Sequence, residues 1–364
     1  MDVSYNLLNR AYEKYKNEYD KAAIEVLESG WYILGKRLLE FENEFANFIG
    51  IKHAIGLNSG LDALVLAFRA LDIKKGDEVI VPANTYIASI LGITENNATP
   101  IFVEPDEFYN LDCEKIEDKI TKNTKAILVV HLFGQAANMS KIKTIAEKHN
   151  LFLVEDCAQS HGAKFDNKTT GTWGDIGCFS FYPTKNLGAF GDSGAVVTNS
   201  ESIYEKIHMM RNYGSKIKYQ HELLGVNSRM DEIQAALLSV KLSHYNSLRN
   251  ERAIIANRYL KEINNPLIIL PKIRVQAEHV WHLFVIRTSE RDRLQAYMAI
   301  QGIGTAIHYP IPPHLTKAYS YLGYSKSDLP ITENFSDTIL SIPLYEGMTN
   351  KEIDFVIKTL NNFK

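Results

Sequence analysis

Residues 126–130 read Ala-Ile-Leu-Val-Val, apolar at every position, within the strand-like run Lys125–His131. A strand with one face in water alternates apolar and polar residues. One that is apolar throughout is covered on both faces, as the strands of parallel sheets are. Parallel neighbours need crossover connections, usually helices. This segment therefore predicts an α/β layer architecture with a large, mostly parallel central sheet flanked by helices. In such sheets ligands sit beyond the C-terminal ends of the strands.

The surrounding sequence repeats the theme. Short apolar runs at His53–Leu57, Glu78–Val81, Ile101–Val103, Leu151–Val154, Cys178–Tyr182 and Ala195–Thr198 predict further strands. Leu61–Leu71, Tyr86–Glu95, Ile116–Ile120 and Ile142–His149 predict helices between them. Residues 1–50 read as helical, with Ala22, Ala23, Val26 and Leu27, then Leu38, Phe41, Phe45 and Phe48, at helical spacing around a turn at Ser29-Gly30. A long helical stretch is expected from Met230 to about Ile263. Beyond Asn265-Pro266 follows a smaller α/β unit, with strands at His282–Arg287 and Thr305–His308 and helices at Arg291–Ile300 and from Asn350 onward. The expected division is a large unit, 1–240, including the N-terminal helical segment, and a small C-terminal unit, 241–364, with the boundary inside 240–265.

Composition removes several classes. Forty Lys+Arg against 43 Asp+Glu give a net charge of −3 over 364 residues, so no bulk cationic character draws the chain to nucleic acid or anionic lipid. No run approaches ~18 consecutive apolar residues, and the first twenty residues lack a basic-then-apolar leader, so neither a membrane span nor a signal peptide is expected. Cys113, Cys157 and Cys178 are odd in number and far apart. They form no full disulfide framework and no zinc-spaced cluster, so a metal-free protein of the reducing cytoplasm is expected, most economically an enzyme.

Three features stand at strand ends. Asn58-Ser59-Gly60 follows the first strand and opens the helix carrying Leu61, Leu64, Val65, Phe68 and Leu71. Free backbone N–H groups with a helix dipole behind them suit phosphate, although Asn58 or Ser59 as a plain helix cap explains the same residues. The run Leu151–Val154 delivers Glu155 and Asp156 to the sheet's open end. There a buried carboxylate needs a cationic partner, or one acid caps a helix and the other faces solvent. Ser180-Phe181-Tyr182-Pro183-Thr184-Lys185 runs a strand into a proline and then a lysine among aromatic and small residues. Desolvation there makes an amine nucleophilic, whereas an ordinary loop lysine stays solvated.

Taken together, a lysine amine for a Schiff base, a carboxylate for a pyridinium nitrogen and a phosphate-binding helix terminus are what a protein supplies to pyridoxal 5'-phosphate. The chain also resembles the nucleotide-sugar aminotransferases, the DegT/StrS group of the fold-type-I pyridoxal-phosphate superfamily. The resemblance is carried by GKRLLEFENEFANFIG at 35–50, NSGLDAL at 58–64, GDEVIVPANTYIAS at 76–89 and VEDCAQSHGA at 154–163. It continues in GCFSFYPTKNLGAFGDSGAVVT at 177–198, GVNSRMDEIQAA at 225–236 and IHYPIPPH at 307–314.

The resemblance implies roles. Lys185 matches the lysine bonded to the cofactor, Asp156 the acid on its pyridine nitrogen, and Gln159 the amide near its ring hydroxyl. Tyr86 matches the stacked aromatic ring, or else packs in the core. Ser180 matches the phosphate-binding hydroxyl, and Ser59, Gly60 and Leu61 the first-loop phosphate corner. Many relatives carry threonine where this chain has Leu61, so backbone N–H groups must serve there. Asn227 matches a residue reaching the phosphate across a homodimer interface, or else caps a helix beginning near Arg229. His308, Tyr309 and His314 match substrate-side residues, or else brace the turn around Pro310, Pro312 and Pro313.

The reaction so implied is ping-pong transamination. L-glutamate loads the cofactor as pyridoxamine 5'-phosphate, which aminates a nucleotide-linked keto sugar. The variant motifs resemble enzymes acting at C-3 of dTDP-3-keto-6-deoxyhexoses, which make amino sugars for surface polysaccharides such as O-antigen or for glycosylated natural products. The alternatives are a C-4 aminotransferase on a UDP- or dTDP-4-keto-6-deoxysugar and a non-catalytic regulator that binds the cofactor. Lys185 argues against the related dehydratases, which carry histidine there. The lack of a G-x-G-x-x-G after a strand argues against a nicotinamide dehydrogenase.

Overall fold

The computed structural model describes residues 1–364. Its central sheet has seven strands: β1 (His53–Leu57), β2 (Glu78–Pro82), β3 (Thr99–Val103), β4 (Thr124–Val130), β5 (Phe152–Asp156), β6 (Ile176–Ser180) and β7 (Gly194–Thr198). They lie in the order β1-β7-β6-β5-β4-β2-β3. β3, β2, β4, β5 and β6 are mutually parallel, while β7 runs antiparallel to both β6 and β1. Six C-terminal ends therefore share one edge of the sheet.

β4 is covered on both faces, as its composition predicts. Leu128 joins a core with Leu64, Phe68 and Ile90, whereas Ile127 and Val129 join another with Met139 and Ile142. The first core lies under helices α4 (Gly60–Ala70) and α5 (Ile87–Thr94), the second under α6 (Met139–Lys148). Successive side chains of a strand point to opposite faces, so an unbroken apolar run feeds both layers. Ahead of the sheet lie α1 (Leu8–Lys14), α2 (Lys16–Ser29) and α3 (Lys36–Ile49). Gly30 ends α2 in a left-handed conformation (φ 65°), which accounts for the predicted turn.

After α7 (Glu201–Met210), the helical stretch predicted as one piece is two helices, α8 (Glu232–Ser243) and α9 (Tyr245–Glu262). The break is His244, whose backbone leaves helical geometry (φ −101°, ψ 1°) and whose ring stacks on Tyr15 at 3.7 Å. The C-terminal third pairs β8 (Phe284–Arg287) antiparallel with β9 (Ile339–Ile342), flanked by α10 (Arg291–Ile300), α11 (Pro330–Thr338) and α12 (Asn350–Asn362). It has its own core, in which Phe284, Leu294, Leu340 and Val356 pack with Ile255 and Tyr259 of α9 and with Val3 from the N-terminus.

Three local expectations are corrected. Ile116–Ile120 is no α-helix but part of two 3-10 turns, because Ile120 turns extended (φ −75°, ψ 128°). Thr305–His308 forms only an isolated bridge from Ala306 to Ser341, since the partner of β8 is β9. The strand placed at Cys178–Tyr182 is shifted to Ile176–Ser180, the Tyr182 amide turning back to Ser180 Oγ (3.3 Å) ahead of Pro183. No helix is long and apolar enough to cross a membrane.

Candidate active site

The register of the sheet brings distant residues together. Gly194 of β7 pairs with Ser180 of β6 on one side and with Leu57 of β1 on the other. The turn Asn58-Ser59-Gly60 thus lies beside the end of β6. Ser59 caps α4, its Oγ accepting from Asp62 N at 3.1 Å. A methyl group built on Gly60 would stand 2.5 Å from Ser180 Cβ, so only glycine lets the helix terminus come this close. Leu61 opens the first turn of the helix, where backbone N–H groups lack intrahelical partners. Ser228 donates to Asp62 Oδ2 (2.7 Å) and accepts from Asn58 N (3.2 Å), tying the segment that carries Asn227 to this corner.

Asp156 ends β5, next to β6 in register, and is buried. Its Oδ2 accepts from Ser89 Oγ at 2.7 Å and its Oδ1 from Ala158 N at 3.1 Å. Ser89 has one proton and gives it to Asp156, so Thr85 Oγ1, 2.8 Å away, is the donor to Ser89. Burial raises the Asp156 pKa, and these hydrogen bonds with the nearby Lys185 charge oppose the rise. The buried carboxylate has no hydrogen-bonded cation within the chain.

Its neighbour Glu155 points to the other face. It accepts from Trp173 N and Gly174 N through Oε1 (2.8 and 2.9 Å) and from Gly171 N through Oε2 (2.8 Å). His131 Nδ1 accepts from Ala137 N, so the ring proton is on Nε2, which donates to Glu155 Oε2 at 3.0 Å. His131, Glu155 and Cys157 have metal-like spacing, but these hydrogen bonds already engage the histidine and carboxylate ligand atoms.

Lys185 sits three residues past the strand-adjacent Tyr182, its amide donating to the Tyr182 carbonyl at 2.8 Å. Burial pulls its ammonium down to about 8, with Asp156 pulling the other way. Asn186 fixes the next position, Nδ2 donating to Val280 O (2.7 Å) and Oδ1 accepting from His282 Nδ1 (2.9 Å). Gln159 is clamped from both ends. Its Oε1 accepts from Phe133 N at 2.7 Å and its Nε2 donates to Tyr309 Oη at 3.3 Å.

Tyr86 is 52% exposed, its ring 5.0 Å from that of Tyr309, so it is not core packing. His308 bonds Ser341 Oγ (2.8 Å), and burial, aided by the Lys185 charge, pulls it down to about 4. His314 stands apart, buried beside Phe102 and Tyr324 and bonded to Glu333 (3.2 Å). Its contacts are those of a brace for the proline-rich turn. Asn227 caps no helix, because α8 starts at Glu232 behind Asp231. It is exposed, in an isolated bridge with Asn212.

A buried carboxylate without a cation, a depressed lysine amine and an open helix terminus therefore lie along one edge of the sheet. The model of the DegT/DnrJ/EryC1/StrS aminotransferase family matches residues 13–361. The chain belongs to this family.

Among its relatives is the dTDP-3-amino-3,6-dideoxy-alpha-D-galactopyranose transaminase of Aneurinibacillus thermoaerophilus, 51% identical over 96% of each chain. Streptomyces venezuelae DesV, solved in complex with a ketimine intermediate, superposes with a TM-score of 0.97 at 44% identity, over 99% of this chain and 98% of that one. Ntda from Bacillus subtilis, solved with bound cofactor PMP, gives 0.92 at 30% identity, over 99% and 84%. The fold is that of these aminotransferases.

Sequence reasoning missed Ser89, Thr85 and Ser228. Ser89 was within reach, since with Thr85 it belongs to the run GDEVIVPANTYIAS at 76–89 that carries the resemblance. Ser228 carried no local signal, because its partner Asp62 lies 166 residues away in the chain.

Proposed function

We propose that this aminotransferase moves the amino group of L-glutamate to C-3 of a nucleotide-linked keto sugar, turning a dTDP-3-keto-6-deoxyhexose into a dTDP-3-amino-3,6-dideoxyhexose. The observation that carries the reading is the placement of Lys185, its amine depressed and facing the field of buried Asp156, in a chain 51% identical to a transaminase named for such a sugar.

Pyridoxal 5'-phosphate is the cofactor, and the residues fit it. Asp156 has room for one more partner beyond Ser89 and Ala158, and Gly60 lets the helix terminus stand against Ser180, where any side chain would collide. When bound, the cofactor supplies an electron sink for the carbon that loses its proton. Asp156, held in place by Ser89 and Ala158, would favour a proton on the ring nitrogen. Lys185 would hold the cofactor through its amine, and the same Nζ, once free, would be the group placed to take up and return a proton. Ser180, with Ser59 Oγ and the backbone of Gly60 and Leu61, would hold the phosphate, Gln159 would serve the ring hydroxyl, and Tyr86 would stack on the ring. His308 and Tyr309 face the sugar. His314 acts through the turn it braces.

The same reading makes the protein a cytoplasmic homodimer with shared active sites, in which Asn227 serves the partner's phosphate corner. It also divides the chain into a large unit, 1–240, and a small one, 241–364.

The test is product analysis by NMR after incubation with L-glutamate and, separately, the 3-keto and 4-keto dTDP-6-deoxyhexoses and the UDP-4-keto sugar. Amination at C-3 is expected. Amination only of a 4-keto sugar would move the reaction to C-4.

A further inference from the structure

An open pocket of about 540 Å³ lies at the seam between the sheet and the C-terminal third. Pro105–Phe108 and Asp112–Lys115, from the segment after β3, form one wall. Arg287 at the end of β8, with Ile331 and Phe335 of α11, forms the other. None of Lys185, Asp156, Gln159, Ser180, Tyr86 and His308 lines it. Glu104 ties the two walls beside the pocket, accepting from Ile331 N (2.8 Å), Thr332 N (2.9 Å) and Thr332 Oγ1 (2.6 Å).

The charges of the lining are paired, with one exception. Asp106 pairs with Arg274, Glu107 with Lys272, Asp112 with Lys115 (3.2 Å) and Glu114 with Lys141. Arg287 pairs with no carboxylate, and its buried Nε has no acceptor in the chain. Its guanidinium stands instead over the rings of Phe335 and Tyr109, 4.9 and 5.9 Å from their centres. Ring faces steady the charge but leave its in-plane N–H donors without lone pairs. An arginine does not escape burial by shedding its proton, so the complement that it lacks is an anion.

The same lining decides the kind of anion. A carboxylate meets the planar guanidinium fork with two parallel hydrogen bonds. A phosphate dianion would bring its second charge among four carboxylates whose own cations are already engaged. Phe108 and Phe335 offer ring surface and Pro105 and Ile331 aliphatic surface, in a volume within the ~300–1,000 Å³ typical of ligand pockets. We propose that this pocket binds an aromatic monocarboxylate on Arg287, as an effector separate from the substrates. His308 and Tyr309 belong to the same C-terminal third as Arg287, and Asp156 and Lys185 to the sheet side. A ligand bridging the walls therefore favours the arrangement of the two parts that fits it.

The protein carries its own reporter. Cys113 stands in this lining while Cys157 and Cys178 are buried, so alkylation of one thiol reads occupancy. Burial, with Glu114 beside it, holds that thiol up at about 11, so N-ethylmaleimide labelling is followed by mass spectrometry at about pH 9. The probe is benzoate on the holoenzyme, with benzamide as its uncharged counterpart. Benzoate should slow labelling of Cys113 saturably, and benzamide should leave the rate unchanged. In Arg287→Met, which keeps an apolar stem over Phe335, the affinity read from that titration should fall about tenfold or more. Labelling that benzoate does not slow, equal protection by benzamide, or full protection in a folded Arg287→Met would overturn the proposal. Stronger protection by inorganic phosphate than by benzoate would overturn the choice of a carboxylate. The readout is a thiol outside the cleft, so the outcome does not depend on which sugar is aminated.

Discussion

Glu155 and Asp156 are consecutive in β5 and serve opposite faces of the sheet, Glu155 binding the backbone of 171–174 and Asp156 facing the cleft with Ser89. The acid already saturated by backbone amides has no capacity left for a ligand. The other keeps a free lone pair, and it is the one placed beside Lys185. Two adjacent carboxylates thereby acquire unrelated tasks, and their substitutions should fail in unrelated ways.

Asp156→Asn should fold and bind the cofactor but turn over slowly. Removing an opposite charge at a few ångströms lowers the pKa of the protonated ring nitrogen by about 1–3 units, so kcat should fall about 10- to 1,000-fold. A melting temperature near wild type with that loss of rate is the expected pair of measurements.

Glu155→Gln should do the reverse, damaging stability first. Its amide would present N–H groups to backbone N–H groups, leaving buried donors unpaired at a cost of about 3–5 kcal/mol. Denaturant unfolding checks this. A variant as stable as wild type would mean that the 171–174 segment can satisfy its amides elsewhere.

Lys185 sets the pH dependence of cofactor capture. Its ammonium is pulled down to about 8 by burial, against the pull of Asp156. The neutral amine is the nucleophile, so apoenzyme should capture pyridoxal phosphate about tenfold faster per pH unit up to about 8, and level off above. In Asp156→Asn the lysine loses the charge that favours its ammonium, so the plateau should begin at lower pH. Stopped-flow absorbance measures both profiles.

Gly60→Ala tests the phosphate corner. Its methyl group would stand 2.5 Å from Ser180 Cβ, so α4 and β6 must part. Overpacking of this kind costs about 1–3 kcal/mol, and here it also widens the site. Weakened cofactor retention on dialysis, larger than the drop in melting temperature alone explains, is the expected result.

Away from the site, Arg10 grips both oxygens of Glu352 at 2.7 Å, and Thr349 bonds the same carboxylate from its amide and hydroxyl at 2.8 Å. The Arg10 contact is the main reason the Glu352 pKa falls to about 2 from the ordinary 4.5. A depressed carboxylate stabilises the fold above its unfolded pKa and loses that effect as pH drops through the folded one. Thermal melts of wild type and Glu352→Gln should therefore differ most above pH ~4.5 and converge toward pH ~2.

The large unit was legible because its strands are buried on both faces and so announce themselves as unbroken apolar runs, β4 above all. β9 was not, because Ser341 interrupts a four-residue strand whose partner lies more than fifty residues upstream. The carboxylate, the lysine and the phosphate turn were legible from their place at strand ends. The exposure of Tyr86 was not, since the same apolar surroundings describe a core tyrosine until the cleft is built. The split at His244 was equally hidden, helical spacing continuing on both sides of one residue whose backbone departs from it.

The antiparallel course of β7 has a consequence for how the protein is made. β1 is complete by residue 57 but pairs with nothing except β7, which begins at residue 194. During synthesis β1 and its turn therefore leave the ribosome long before their only partner does, and that edge must stay unpaired and shielded meanwhile. Closing so long a loop is slow and comes late. The phosphate corner between Ser59 and Ser180 is thus among the last parts of the large unit to take shape, so cofactor present during translation has little to bind until most of the sheet exists.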